Sequence, residues 1–221
     1  VDDAYREAIV AALQRGCNVL DTAINYRCQR SERVIGEALA AVADGDADGG
    51  VLDEDAGVAD DSDAAGESGA ADAEGTVDRE SVLVATKGGF LPFDGERPAD
   101  PGRYVRETFV EPGIVDPGDL AHGAHAIAPE FLDDQLDRSL ANLGLDAIDL
   151  YYVHNPETQL EVRSREAVYD QLEAAFERLE ERRAAGDVRA YGVASWDAFR
   201  VPPEHESHLS LPAVIGRARR A

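Results

Sequence analysis

Apolar positions along the chain recur with two alternating periods. In "DDAYREAIVAALQRG" the residues Tyr5, Ile9, Ala12 and Leu13 fall at helical spacing, and Gly16 follows as a stop suited to the left-handed position after a helix. "NVLDTA" then reads as a short strand. "SERVIGEALAAV" returns to the helical period, with Val34, Ile35, Ala38 and Leu39 on one face, Ser31 as the expected N-cap and Glu32 in the first turn. "SVLVATK" is a continuous apolar run of strand length. "PEFLDDQLDRSLANLG" predicts a helix with Leu132, Leu136, Leu140 and Leu143 in a stripe, Pro129 in its first turn and Gly144 at its stop. "AIDLYYVH" is the next strand, "REAVYDQLEAAFERLEERRAAG" a long helix with Val168, Leu172, Phe176 and Leu179 facing inward, and "VRAYGVAS" the strand after it. "SLPAVIGRARRA" opens a further helix at Ser210. Strict alternation of this kind implies a parallel sheet with helices outside it, either doubly wound or closed as a barrel.

Two segments break the alternation. Residues 44–78 are mostly Asp, Gly, Ala and Ser with scattered Glu, carry no Lys or Arg and show no sustained apolar period, so they are expected to form a disordered acidic insertion. Residues 88–128 form a long Pro- and Gly-rich connection from strand to helix, a length usually functional or disordered.

Composition narrows the partners. Asp and Glu total 45 against 21 Lys and Arg, a formal net charge of -24, which repels nucleic acid and anionic membranes. No stretch approaches the roughly 18 apolar residues of a membrane span. An acidic surplus spread through helices as well as loops, with lysine nearly absent, is similar to that of proteins from salt-loving microbes, where concentrated cations screen self-repulsion. Cys17 and Cys28 lack the spacing of a disulfide framework or a zinc site and are read as free thiols, which points to the cytoplasm. The chain opens inside an amphipathic helix without a Met or a signal sequence, as a cut end would. His122 and His125, like His205 and His208, have i, i+3 spacing without an evident third ligand, so they are expected to be solvated loop histidines and no metal site is expected.

Candidate chemistry lies where the strands end. The residues closing the four predicted strands are Asp21, Lys87, His154 and Ser195, with Tyr26 five positions beyond Asp21. In a barrel of parallel strands these ends open onto one face, where the side chains would converge. Taken singly, an Asp after a strand caps a turn, a His before Asn-Pro is a hydrogen-bonded core or loop residue, and Tyr26 packs under a loop. Lys87 is the only lysine of the chain, and an apolar strand gives no structural reason to keep it. Together the four have a chemical sense. A cation beside a Tyr hydroxyl favours the phenolate, a carboxylate holds the ammonium, and a histidine opposite orients a substrate carbonyl. That is a proton-delivery site for a carbonyl oxygen awaiting a hydride. No GxGxxG or GxxxxGK[ST] accompanies any strand-to-helix turn, which argues against the dinucleotide-binding and phosphate-loop sheets.

In this order and context the residues resemble the aldo-keto reductase family. "GCNVLDTAINYRCQRSERVIGEAL", "VLVATK", "LDRSLANLGLDAIDLYYVHNPE" and "GDVRAYGVASW" carry the resemblance, from about Ala8 to Trp196 outside the insertion and the long connection. It implies an incomplete (β/α)8 TIM barrel, with about strands 2 to 5 present, that binds NADP(H) and reduces an aldehyde or ketone to an alcohol. Tyr26 would be the general acid/base, Lys87 and Asp21 its tuning pair, and His154 the carbonyl-orienting group. Thr22, Ala194, Ser195 and Trp196 would contact the cofactor; the family commonly has Ser-Asn where this chain has Ala194 and Ser195. The partner would be a small carbonyl compound. The alternatives are a nucleotide-sensing subunit on the same fold, and a fragment that is inactive because it lacks the cofactor phosphate site.

Overall fold

The computed structural model describes residues 1–43 and 76–221. Four strands, β1 (Val19–Asp21), β2 (Leu83–Gly88), β3 (Ile148–His154) and β4 (Val188–Ala194), form one parallel sheet in the order β1-β2-β3-β4. Six α-helices among the described residues are α1 (Asp2–Gln14), α2 (Arg30–Ala43), α3 (Pro101–Val105), α4 (Pro129–Leu143), α5 (Arg165–Ala185) and α6 (Leu211–Ala218). Strand order follows chain order because each crossover carries a helix long enough to return the chain to the neighbouring position. The alternation read from the sequence is the architecture, a partial (β/α)8 arrangement.

The register assigns each residue to a face. Asp21 pairs with Ala85, Lys87 with Tyr152 and His154 with Ala194, so by alternation Asp21, Lys87, His154 and Ala194 share one side of the sheet. The opposite side carries Leu20, Val84, Thr86, Tyr151 and Val153, all buried. It packs with Leu132 and Leu136 of α4 and Leu172 and Phe176 of α5 in the main core. Gly144 and Gly186 stop α4 and α5 in the left-handed conformation, with φ 64 and 96. Helices α2 and α4 approach so closely that a Cβ on Gly36 would lie 2.7 Å from the Leu143 carbonyl oxygen. At the same junction Glu32 is fully buried, accepting from Thr86 Oγ1 at 2.6 Å and from Asn142 Nδ2 at 2.9 Å. Burial pushes its carboxyl up from the ordinary range.

Two details differ from the expectations. Helix α2 starts at Arg30, and the chain enters it through Arg27, Cys28 and Gln29 at φ 50, 57 and 68, a left-handed turn in place of a Ser31 cap. Ser210 does precede α6, but its side chain makes no capping bond; its N–H donates to the Tyr169 hydroxyl at 2.8 Å. The connection after β2 is ordered. It holds α3 and a π-helical turn, Arg106–Val110, over a core of its own formed by Leu91, Phe109, Val115, Ala126 and Phe131. The apolar residues of that core are scattered, so no period announced them. The expected insertion falls outside the described residues except for Thr76–Asp78. Of these, Val77 donates from its N–H to the Val42 carbonyl at 3.1 Å, and Asp78 caps the turn Arg79–Ser81.

Candidate active site

Lys87 lies one residue before the end of β2 and is 7 % exposed. A buried ammonium needs partners, and this one has two from the end of β1. It forms an ion pair with Asp21 and donates to the Thr22 carbonyl at 2.6 Å. The Thr22 N–H in turn bonds the Ala85 carbonyl at 2.9 Å, which extends the β1–β2 pairing past Asp21 and fixes that acceptor. Tyr26 stands in the turn between β1 and α2, 40 % exposed, with the Lys87 Nζ 5.3 Å from its ring centroid. The His154 ring meets the Tyr26 ring edge-on at 6.1 Å. Four residues from three strand ends and one turn, all singled out in the sequence, therefore gather at one edge of the sheet.

His154 is 6 % exposed, and its Nδ1 has no hydrogen-bond partner. Burial foremost, then the Lys87 ammonium and His125, against the opposing effect of Asp21, hold its pKa down at about 4. The imidazole is therefore neutral at neutral pH, able to donate one hydrogen bond without carrying a charge.

The β4 end is more elaborate than the sequence suggested. Ser195 donates from its hydroxyl to Glu157 Oε1 at 2.9 Å and accepts from the Ala198 N–H at 2.9 Å. Glu157 Oε1 also receives the N–H groups of Trp196 and Asp197 at 2.8 and 3.2 Å. The only proton of Ser195 is thus committed within the turn, which leaves the hydroxyl one lone pair for anything else. Asn155, at φ 46, has its amide between the Ala194 carbonyl and Trp196 Nε1; turned with its nitrogen toward the carbonyl, it donates to the one and accepts from the other, each at 3.2 Å. Trp196 itself is 69 % exposed. Thr22 is buried with its hydroxyl oxygen unpartnered, and so is Glu157 Oε2. With His154 Nδ1 these make three orphaned polar atoms in residues that follow or close two of the strands, β1 and β3. Such a set suits a ligand that carries both donors and acceptors, as a nicotinamide carboxamide does.

Sequence reasoning missed Glu157, Gln159 and the burial of His125. Of the four histidines expected to be solvated, His122 is exposed and pairs with Glu161 at 2.8 Å, and His205 is exposed. His208 is half-buried, with Nδ1 3.0 Å from the Val201 carbonyl. His125 is fully buried, packed under Phe90 at the end of β2. The run "NPETQ" directly after β3 is polar apart from its proline, but nothing in it singles out Glu157 or Gln159. Among the described residues no cluster of His, Cys, Asp or Glu is disposed to hold a metal ion, and no helix is long and apolar enough to cross a membrane.

Comparison with known proteins agrees with this fold. The family model described as "Aldo/keto reductase family" matches residues 1–212. No curated protein sequence matches the chain. Among solved structures, a glycerol dehydrogenase from Gluconobacter oxydans is similar at a TM-score of 0.54 and 19% identity, covering 99% of this chain and 42% of its own. The holo form of an aldo-keto reductase from Bacillus halodurans is similar at a TM-score of 0.50 and 19% identity, covering 88% of this chain and 42% of its own. The chain thus spans less than half the length of these structures, and at such identity the likeness is one of fold. The match over residues 1–212 is the broader finding: the chain belongs to the aldo/keto reductase family.

Proposed function

We propose that this chain carries the proton-delivery site of an NADP(H)-dependent reductase that converts an aldehyde or ketone to an alcohol. The observation that supports it most is the grouping of Tyr26, Lys87, Asp21 and His154 at one sheet edge, with the lysine held by both Asp21 and the Thr22 carbonyl. Thr22, Ala194, Ser195 and Trp196 would hold the nicotinamide end of the cofactor, which supplies a hydride when bound. The neutral imidazole of His154 donates a hydrogen bond to the substrate carbonyl and fixes its direction. The Tyr26 hydroxyl delivers the proton to the oxygen as it becomes an alkoxide. Lys87 stabilises the phenolate left behind, and Asp21 keeps the ammonium from drifting away. In the reverse direction the phenolate takes the proton from an alcohol.

Rapid mixing of the intact protein with NADPH and a panel of aldehydes, followed by nicotinamide absorbance through one turnover, tests this reading. The expected result is oxidation of bound NADPH that depends on the aldehyde. Tight nucleotide binding without any hydride transfer would favour a nucleotide-sensing role instead.

A further inference from the structure

His125 belongs to none of the groups above, yet it is wholly buried against the site. Its Nε2 lies 2.7 Å from the carbonyl oxygen of His154, and its Nδ1 lies 3.0 Å from Gln159 Nε2. The orientation of the Gln159 amide follows from its other bonds. Its oxygen accepts from Arg163 Nε at 3.1 Å, and its nitrogen donates to the His125 carbonyl at 2.7 Å. The nitrogen therefore faces Nδ1 as a donor, Nδ1 accepts, and the ring proton of His125 sits on Nε2 and is given to the His154 carbonyl. Burial lowers the His125 pKa, so the neutral tautomer persists at neutral pH.

A second contact reaches the His154 ring itself. Phe90 packs edge-on against His125 at 4.7 Å and against His154 at 5.1 Å, one aromatic between two imidazoles. The backbone makes room for this. Gly89 has φ 144, and a Cβ there would stand 2.9 Å from the His154 oxygen and 3.1 Å from His125 Nε2, so a side chain would crowd the hydrogen bond. Gln135 of α4 clamps the same stretch, accepting from the Gly89 N–H at 2.6 Å and donating to the Phe90 carbonyl at 2.8 Å. An exposed loop histidine has no need of such surroundings.

We infer that His125 is a positioning residue for His154, holding its main chain by one hydrogen bond and its ring through Phe90, so that the long connection after β2 sets the direction of the carbonyl-orienting imidazole. The inference rests on the reading of His154 given above. It also gives that connection a role in the site, one of the two readings its length allows.

Two variants of the intact protein separate the parts. His125→Phe keeps a ring of similar size and removes the donor; His125→Gln keeps a donor of similar reach. Misplacing a reacting group by about an ångström costs on the order of a hundredfold in rate. His125→Phe should accordingly lower kcat by about ten- to a hundredfold with NADPH affinity unchanged, and His125→Gln should recover most of the loss. The reading independent of activity is the imidazole titration of His154, followed by NMR of labelled histidine and assigned with His154→Gln. Lys87, Asp21, Tyr26 and His125 face that ring. Its titration should lie far below the ordinary value in the parent protein, rise in His125→Phe as the ring gains solvent, and return in His125→Gln. An unmoved His154 titration in a folded His125→Phe variant, or a Gln variant as impaired as the Phe variant in both readouts, overturns the inference. Full turnover by His154→Gln would instead sink the role of His154 in the reaction, while the titration would still decide whether His125 positions it.

Discussion

The two faces of the sheet are built from alternate residues of the same four strands, and they differ in what completes them. On the helix side Val84, Thr86, Tyr151 and Val153 are fully buried among residues of α4 and α5 that the chain itself supplies. On the other side Val19 is 54% and Leu83 39% exposed, and the interior there closes only toward the strand ends, where Ala85, Lys87 and His154 are buried. Apolar packing and the buried charged groups of the strand ends are thus divided between faces. The helix side is mainly an apolar core, whose one buried polar pair named above, Thr86 with Glu32, is satisfied within it, whereas the site side holds a buried ammonium and an unpartnered imidazole nitrogen. Barrels of parallel strands show the same division, with conservative packing beneath and reactive groups at the strand ends.

This contrast can be broken from either side. The largest effect is expected on the helix side: Phe176, 2% exposed and tilted against Tyr191 at 5.6 Å, should cost about 3–5 kcal/mol of unfolding free energy when changed to Ala. In the same chain Leu83→Ala should cost only about 1 kcal/mol, since more than a third of the side chain is already in water. Chemical denaturation of both variants is the check. A Leu83→Ala cost near that of Phe176→Ala would mean that the open face is covered.

A smaller effect is expected from Lys87→Arg. The guanidinium keeps the charge but cannot occupy the same point between Asp21 and the Thr22 carbonyl, so turnover should fall on the order of tenfold, less than the ~10²–10³ of losing a preorganised donor outright. Steady-state kinetics read it, and full activity in the variant would remove the requirement for a compact cation. The smallest effect is on stability against pH. His154 titrates at about 4 when folded and near 6.5 when unfolded, so between those values the unfolded chain binds more protons. Stability is therefore fully present above about pH 6.5 and declines as pH falls toward 4. Denaturant midpoints at pH 7 and pH 5 should differ more in the parent than in His154→Gln. Equal differences would place the imidazole in water.

Much of this was legible from the chain alone, for identifiable reasons. Helices α4 and α5 carry an apolar period and a glycine stop in one stretch, so local preference and tertiary packing agree. Lys87 stood out because no other lysine competes with it, and Asp21, Tyr26 and His154 followed from their places at strand ends. His125, Glu157 and Gln159 were not legible because their roles depend on pairs 29 to 40 residues apart, His125 with His154 and Gln159, Glu157 with Ser195, Trp196 and Asp197. No period or spacing encodes such contacts. The entry to α2 was misread because a Ser beside a helical run signals a cap, whereas the hydrogen bond from the Arg33 N–H to the Gln29 carbonyl, at 3.3 Å, draws the helix back past Ser31.

The central claim is that Tyr26 gives the proton, and Tyr26→Phe tests it most directly because the substitution removes the hydroxyl and keeps the ring that meets Lys87 and His154. The measurement is single-turnover oxidation of bound NADPH by an aldehyde in the intact protein, alongside equilibrium binding of the cofactor. The account predicts a hydride-transfer rate lower by at least the ~10²-fold that general acid catalysis contributes, with cofactor affinity nearly unchanged. A variant that transfers hydride at close to the parent rate would contradict it.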